Sequence, residues 1–574
     1  MTNTSQPNSA AKLERLLSQG LTNFRDGNLA KAKQAFSQAI KINAQNFDAV
    51  HMFALCHYAE GKFEQALALI DDAIRLNNLH VEALINRGRI LESLSRFDEA
   101  QASYRKAWNL APEQSEPPHN IGRILLQVGQ FDKAIIALRA AHRLNLQSPA
   151  ILSDLGAALL ESQYYNEAVI ILRQAIAFNP AELTALQNLG TCLRNLMQTE
   201  EAAKTFHAAV AINPNYAPAL INLAIIAGET GDLDAGLALL AKAQKAAPKN
   251  PEVQQTKATL LLRYEKLGEG FKAYESRFKQ SARMVVEKKI DLPEWNGEDL
   301  QAKGILIWTE QGIGDEILSA SMISEVKERA HNCVLACSKR LIKIFERSFP
   351  GATVVDRDKN IPPDATLQMH YHSPSLSLGR QTRRDLNDFP NHEGYLVASD
   401  TLVSDVRSNY QEHFGKKPLV GLSWHSSARY GQYKNPNLED WIPIVSNTDV
   451  QFVSLQYGNR TADICRLEEM SGVKIINDEN INPLNNMDEA MAQVAAMDLV
   501  ITVSNTTAHM AGALGKSVWT LLPLGAGAFW YWFRNRTDSP WYPSMRLFRQ
   551  VQAGDWSRVM QASARALQAR KNIC

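Results

Sequence analysis

The apolar positions of this chain follow two different rhythms. From about Leu13 to about Met284 they repeat every 34 residues, with Ala32, Ala66, Ala100, Ala134, Ala168, Ala202, Gly236 and Gly270 marking the register. Four residues after each stands a bulky apolar one: Phe36, Ile70, Tyr104, Leu138, Leu172, Phe206, Leu240 and Tyr274. Twelve before each stands a small one: Gly20, Ala54, Gly88, Gly122, Gly156, Gly190, Ala224 and Ala258. Pro112, Pro180, Pro214 and Pro248 stand twelve residues after four of the register positions, at a place where a helix must stop. The spacing predicts eight helical hairpins, the small residue allowing two helices to approach and the bulky one filling the gap between neighbouring hairpins. After ARMVVEKKIDLPEWNGEDLQAKG the rhythm changes. Short apolar runs now alternate with helical stretches: ILIW (305–308), CVLAC (333–337), ATVV (352–355), LVGLSW (419–424), QFVSLQ (451–456), VKII (473–476), LVITVS (499–504) and VWTLL (518–522). Runs of this length and alternation predict parallel sheets built from βαβ units.

The 34-residue period is the tetratricopeptide pattern. Such solenoids curve and present a concave face to an extended partner. Two residues before the small position lie Asn86, Asn120, Asp154, Asn188 and Asn222. An asparagine amide both donates to and accepts from a peptide backbone, so a column of them holds a chain without reading its sequence. The alternative is that these amides bond neighbouring helices. The column resembles the asparagine ladder in the superhelix of the eukaryotic O-GlcNAc transferase. The second half groups into two lobes, giving five segments: a disordered N-terminus (1–12), the repeats (13–284), a first α/β lobe (285–400), a polar linker (401–417) and a second α/β lobe (418–574). The fold class expected is multidomain, an all-α superhelix followed by a double Rossmann-like α/β region.

Composition narrows the function classes. The chain has 574 residues, which calls for more than one core. With 61 basic against 60 acidic residues, the balance gives no electrostatic reason to bind nucleic acid or an anionic membrane. The N-terminus has no signal-type apolar core, and no apolar run is long enough to span a bilayer. The six cysteines are scattered without metal-ligand spacing, as in a reduced, cytoplasmic protein. No metal site is expected. The Asp356–Asp358 pair in VVDRDKN reads as a surface turn.

Two strand ends carry candidate chemistry, because ligands of open parallel sheets sit outside the carboxyl ends of the strands. ILIW leads into TEQGIGDEILS. There Gln311, Gly312 and Gly314 form a tight turn, and Asp315 opens a helix, as an N-cap or as a carboxylate able to accept a hydroxyl proton. LVITVS leads into SNTTAHMAGALG. Ser504, Asn505, Thr506 and Thr507 stand at a helix mouth, with His509 and Gly512 in its first turns. Free N–H groups, hydroxyls, an imidazole and small side chains suit a phosphate. The bland alternative is a capped helix with a core histidine. No GxGxxG follows any strand, which argues against a dinucleotide dehydrogenase. Softer candidates are Trp424, His425 and Ser426 at the end of LVGLSW; Arg429, Tyr430 and Lys434 on the following loop; and Gln456 and Tyr457 after QFVSLQ. The aromatic clusters FWYWF (529–533) and SPWYPSMRLFRQ (539–550) read as packing.

The motifs EQGIGD (310–315), SNTTAHMAGALG (504–515), SPWYPSMRLFRQ and GDW (554–556) make the second half similar to GT-B glycosyltransferases of the heptosyltransferase-like kind. The whole chain resembles bacterial tetratricopeptide-fused transferases, nearest in look to flagellin-modifying members. The resemblance implies metal-independent transfer without a cofactor and donor binding mostly in the last lobe. It matches Asp315 to a candidate base and His509 with its helix to the donor-phosphate site. Two departures stand out: Asn505 where many relatives carry an acid, and His425 where close relatives carry arginine. The implied activity moves a sugar onto Ser or Thr of a protein, flagellin favoured, held by the repeats. The donor expected is a nucleotide sugar, a CMP-nonulosonate such as pseudaminic or legionaminic acid favoured over a UDP- or ADP-sugar. The rivals are a transferase acting on lipopolysaccharide and a non-catalytic scaffold.

Overall fold

The computed structural model describes residues 6–279, 290–359, 361–362, 367–427, 431–525 and 527–570. Arg429, Tyr430 and the expected repeat boundary at 284 lie outside the described residues. The chain divides into two compact units, Met1–Pro214 and Asn215–Cys574.

The first unit holds six helical hairpins: α1 (Gln6–Arg25) with α2 (Leu29–Ile42), α3 (Phe47–Ala59) with α4 (Phe63–Leu76), α5 (Val81–Ser93) with α6 (Phe97–Leu110), α7 (Glu116–Gln127) with α8 (Phe131–Leu144), α9 (Pro149–Glu161) with α10 (Tyr165–Phe178), and α11 (Leu183–Asn195) with α12 (Thr199–Ile212). Helix α1 corrects the expectation of disorder over 1–12, since 6–12 are already helical. Pro7 sits in the first turn, where its missing N–H costs nothing, and Ala10, Ala11 and Leu13 are strong helix formers. Where the small residue is glycine in this unit, the small-to-bulky pairing lies within the hairpin, not between neighbours. A side chain at Gly20 would overlap Phe36, at Gly122 it would overlap Leu138, and at Gly190 it would overlap Phe206.

The second unit begins with two more hairpins, α13 (Ala217–Thr230) with α14 (Leu233–Ala246) and α15 (Pro251–Arg263) with α16 (Leu267–Tyr274), followed by a 3₁₀ turn over Glu275–Lys279. The turn inside every hairpin of both units carries one left-handed residue: Gly27, Gly61, Ser95, Gly129, Gln163, Met197, Gly231 and Glu265.

Two parallel sheets follow. The first has the order β3-β2-β1-β4, with β1 (Gly304–Trp308), β2 (Asn332–Cys337), β3 (Thr353–Asp356) and β4 (Met369–Pro374). The second has the order β10-β9-β8-β5-β6-β7, with β5 (Leu419–Ser423), β6 (Gln451–Ser454), β7 (Ile475–Ile476), β8 (Leu499–Val503), β9 (Val518–Leu522) and β10 (Met545–Arg549). Strand order reverses between β5 and β8, which opens a crevice at their carboxyl ends. Fully buried strands such as β1, β5, β8 and β9 explain their unbroken apolar runs. The stretch 401–417 is not an irregular linker. It forms α20 (Asp400–Phe414), after α17 (Ile313–Ala320), α18 (Ile323–Arg329) and α19 (Ile342–Ser348) of the first sheet's region. Helix α20 packs on α22 (Met487–Ala495); α21 (Thr461–Ser471) precedes it and α23 (Thr506–Ala513) and α24 (Ser557–Ala569) follow. Arg407 of α20 bonds Asp498, and Tyr410 bonds Asp478 and Gln493, so the segment belongs to the second sheet's lobe.

Among the described residues no helix is long and apolar enough to cross a membrane. Cys56, Cys192, Cys333, Cys337 and Cys465 are unpaired.

Candidate functional site

Helices α17 and α23, which start at the two singled-out strand ends, pack against each other. Gly314 makes this possible: a Cβ there would stand 3.1 Å from the His509 ring. Gly312 is the N-cap of α17, and Asp315 sits in its first turn. The Asp315 Oδ2 accepts from the Gly312 N–H at 3.2 Å, so one oxygen does capping duty. Burial pushes the Asp315 carboxyl up to about 6, with Glu310 and Glu316 adding repulsion and the Gly312 N–H opposing them. The group is therefore mostly ionised at neutral pH and able to take a proton at modest cost.

Lys434 is 2 % exposed. Its ammonium donates to the Ser504 carbonyl at 3.0 Å and lies 4.6 Å from the centre of the Phe529 ring. Burial pushes it down to about 8, and only the field of Asp315 opposes that. His509 is also buried, stacked on Trp532 with ring centres 5.2 Å apart, and its Nδ1 shares a 2.7 Å hydrogen bond with the Tyr542 hydroxyl. Burial, reinforced by Lys434, pushes the imidazole down to about 3. It is neutral at every physiological pH and holds no imidazolium proton to give a leaving group. A neutral His509 can offer a hydrogen bond rather than a proton, and the cation at this place is Lys434.

The mouth of α23 is closed by its own cap. Asn505 Oδ1 accepts from the N–H groups of Thr507 at 3.0 Å and Ala508 at 3.4 Å, while its Nδ2 donates to Ser423 Oγ at 2.8 Å. Asn505 thus joins the ends of β5 and β8, and two of the N–H groups expected to face a phosphate are occupied. Ser504 Oγ accepts from the Trp532 indole at 2.8 Å.

Beside this cap lies a cavity of about 370 Å³ at the carboxyl ends of β6 and β7. Its walls include Gln456, Tyr457, Arg460, Asp478, Gln493 and Thr507. Gln456 also clips the end of β5: its Oε1 accepts from the N–H groups of Trp424 at 3.0 Å and His425 at 2.9 Å. The His425 ring is bonded by Arg460, and burial with that guanidinium lowers its proton affinity.

The residues expected at the site therefore separate. Gln311, Gly312, Gly314, Asp315, Lys434, Ser504 and His509 come together where the α17 and α23 starts meet. Gln456, Tyr457 and Thr507 line the cavity, and Asn505 stands at the switch between β5 and β8. Three are placed elsewhere. Trp424 is in the core under the second sheet, its indole bonded to Asp463 at 3.2 Å. Ser426 is tied by both backbone groups to Asn435. Gly512 is small because the Tyr542 ring occupies the space its Cβ would take. Arg460, Asp478 and Gln493 were not expected; no spacing pattern links them, because β6, β7 and α22 deliver them separately.

The ladder of the first unit is partly closed. Asn86 bonds His51 Nε2 at 3.1 Å, and Asp154 bonds His119 at 2.7 Å. Asn120 Oδ1 accepts from Arg123 at 3.1 Å, while its Nδ2 is buried with no partner among the described residues. In the second unit Asn222 donates to the Pro218 carbonyl at 3.1 Å.

Comparison with known proteins places the repeats. Tetratricopeptide-repeat models match residues 119–182 and 197–260, and a model for subunit 3 of the anaphase-promoting complex, cyclosome, matches 26–107. The chain is 33% identical over 362 residues to Protein FlbA of Caulobacter vibrioides, an overlap covering 59% of each chain. The chain thus spans less than two thirds of that relative's length. Among solved structures, YrrB, described as a TPR protein with an unusual peptide-binding site, is 23% identical with a TM-score of 0.29, covering 33% of this chain and 97% of its own. PilF of Pseudomonas aeruginosa is 20% identical with a TM-score of 0.34, covering 37% and 96%. Tetratricopeptide repeats occupy the N-terminal part, and an α/β region with two parallel sheets follows.

Proposed function

We propose that the chain is a protein O-glycosyltransferase of the two-lobed GT-B kind, with a nucleotide sugar as donor and a Ser or Thr hydroxyl of a repeat-bound protein as acceptor. The observation that carries this reading is the cluster of Asp315, Lys434 and His509 at the start of α23, the helix whose Thr507 and Met510 also line a cavity at the carboxyl ends of β6 and β7. The cavity is of a size for a nucleotide, and its walls join apolar side chains to amides, hydroxyls, Arg460, Asp478 and Glu479. In the reaction the acceptor oxygen attacks the anomeric carbon and Asp315 takes its proton. The bond from that carbon to the phosphate oxygen breaks, and the electron pair leaves on the phosphate beside the Lys434 ammonium. A fixed cation in a site closed to water stabilises that developing charge without reorganisation. His509 is neutral and braces α17 against α23. The resemblance stated above favours a CMP-nonulosonate donor and flagellin as acceptor. The run of tetratricopeptide repeats supports capture of a protein acceptor.

The test is a thermal-shift panel of CMP, UDP, GDP and ADP on the wild type and on Lys434→Met. Stabilisation by one nucleotide, lost in the variant, is expected; CMP would fix the donor class and UDP or ADP would replace it. A flat response to all four refutes the reading.

A further inference from the structure

The last repeat hairpin reaches the loop that carries Asp315. Arg277, in the 3₁₀ turn after α16, is 4 % exposed and grips Glu310 with two bonds, Nε to Oε2 at 2.9 Å and Nη2 to Oε1 at 2.6 Å. Its guanidinium also donates to Ser377 Oγ at 2.7 Å and to Glu275 at 3.0 Å, and stacks over Tyr274 and Phe278. Tyr274, the last residue of α16, accepts from Gln311 Nε2 at 3.2 Å. Gln311 holds a left-handed backbone at φ 62°, a conformation that costs a non-glycine residue energy and persists only when its surroundings impose it. Arg357, at the end of β3, fixes the same residue from the other side through the Gln311 carbonyl at 3.2 Å. Four residues later comes Asp315.

We propose that Tyr274 and Arg277 are positioning residues of the transfer site, holding the 310–315 loop in its strained turn through Gln311 and Glu310. This rests on the reading of Asp315 as the base. The eighth repeat then forms a wall of the site as well as part of a docking module. Arg277 also neutralises Glu310, one of the charges facing Asp315. The others are Glu316 on its own helix and Lys434; the hydroxyls of Tyr274, Tyr531 and Tyr542 complete the surroundings. Removing Arg277 leaves Glu310 negative beside Asp315, and removing Glu310 leaves Arg277 positive. A merely structural lesion would not move the Asp315 titration in opposite directions for the two changes.

The experiment uses the full chain with Tyr274→Phe, Arg277→Met, Glu310→Gln and the neutral pair Arg277→Met/Glu310→Gln, which removes both buried charges and keeps the comparison if a single change fails to fold. The first readout is amide hydrogen exchange over 311–316. On the order of tenfold faster exchange is expected in Tyr274→Phe and Arg277→Met, with β1 and β2 unchanged. Wild-type exchange there in folded variants overturns the proposal. The second readout is the pH profile of CMP-N-acetylneuraminate hydrolysis. The acid limb is expected to rise in Arg277→Met and fall in Glu310→Gln, each by roughly half a pH unit or more. Limbs that stay fixed or move together overturn the electrostatic part. A wild type inert toward this donor and toward UDP- and ADP-sugars counts against the transferase reading, and the exchange data still decide the clamp.

Discussion

Replacing Lys434 with methionine separates an anion-binding lysine from a structural one. The side chain is 2 % exposed, and its ammonium is held down from the ordinary value near 10.5 to about 8. A depression of that size corresponds to about 3 kcal/mol of cost for keeping the charge in the folded state. Methionine removes this cost and fills a similar volume, but forfeits the bond to the Ser504 carbonyl, about 1 kcal/mol. The net expectation is a variant more stable by about 1–2 kcal/mol at pH 7. For a cooperative unit the size of Asn215–Cys574 this is about 2 °C in Tm. The sign has a pH signature. The native state sheds the Lys434 proton before the unfolded chain does, so the penalty is fully present below pH 8 and fades as pH rises toward 10.5. Wild-type stability therefore gains on the variant across that window. Urea melts at pH 7 and pH 10, with and without the nucleotide that stabilises the wild type, measure both effects. A Lys434→Met protein that is less stable at pH 7, or that keeps the nucleotide-induced shift, refutes the assignment of this ammonium to an anion.

Turnover should fall as pH drops through about 6, where Asp315 takes up its proton, and Asp315→Asn should lower donor hydrolysis by about 10²-fold or more while leaving nucleotide binding intact. His509→Gln should leave that acid limb in place, because the imidazole is already neutral there; a pH–rate profile checks both. Gly512→Ala should cost about 1–3 kcal/mol in a denaturant melt, since the new methyl meets the Tyr542 ring. Gln163→Gly should stabilise the first unit by up to about 1 kcal/mol, because its φ of 64° strains any side chain with a Cβ; an unchanged melt would show that the turn has relaxed by other means.

The repeats were legible because their signal is redundant: each Gly and its bulky partner sixteen residues on, as in Gly20 with Phe36, state the same geometry again. Buried strands announced themselves as apolar runs. The two strands that went unread, β4 and β10, are terminal in their sheets and carry His370, His372, Arg546 and Arg549, so solvent on one side erased the pattern. Local motifs marked two strand ends whose following helices meet, and tertiary structure then redistributed their residues. Asn505 became a cap that spans two strands, and Trp424 turned into the core. The Arg277–Glu310 pair had no signal at all, since two residues joined across 33 positions leave no period behind. The ladder's closed rungs were readable in hindsight: His51 and His119 each stand 35 residues before the amide or carboxylate they bond.

The break between compact units falls at Pro214, inside the run of repeats. Six hairpins lie before it, and five of them carry a glycine whose missing side chain makes room for a bulky partner in the same hairpin. Such modules can be gained or lost by in-register duplication, since the joint is internal to the hairpin. The two hairpins after the break have no such freedom, because Glu229, Arg263, Tyr274 and Arg277 are bonded to Arg534, Gly525, Gln311 and Glu310. Lineages carrying this architecture are therefore expected to differ in reach, by whole repeats counted from the N-terminal side, while the final pair is inherited with the chemistry.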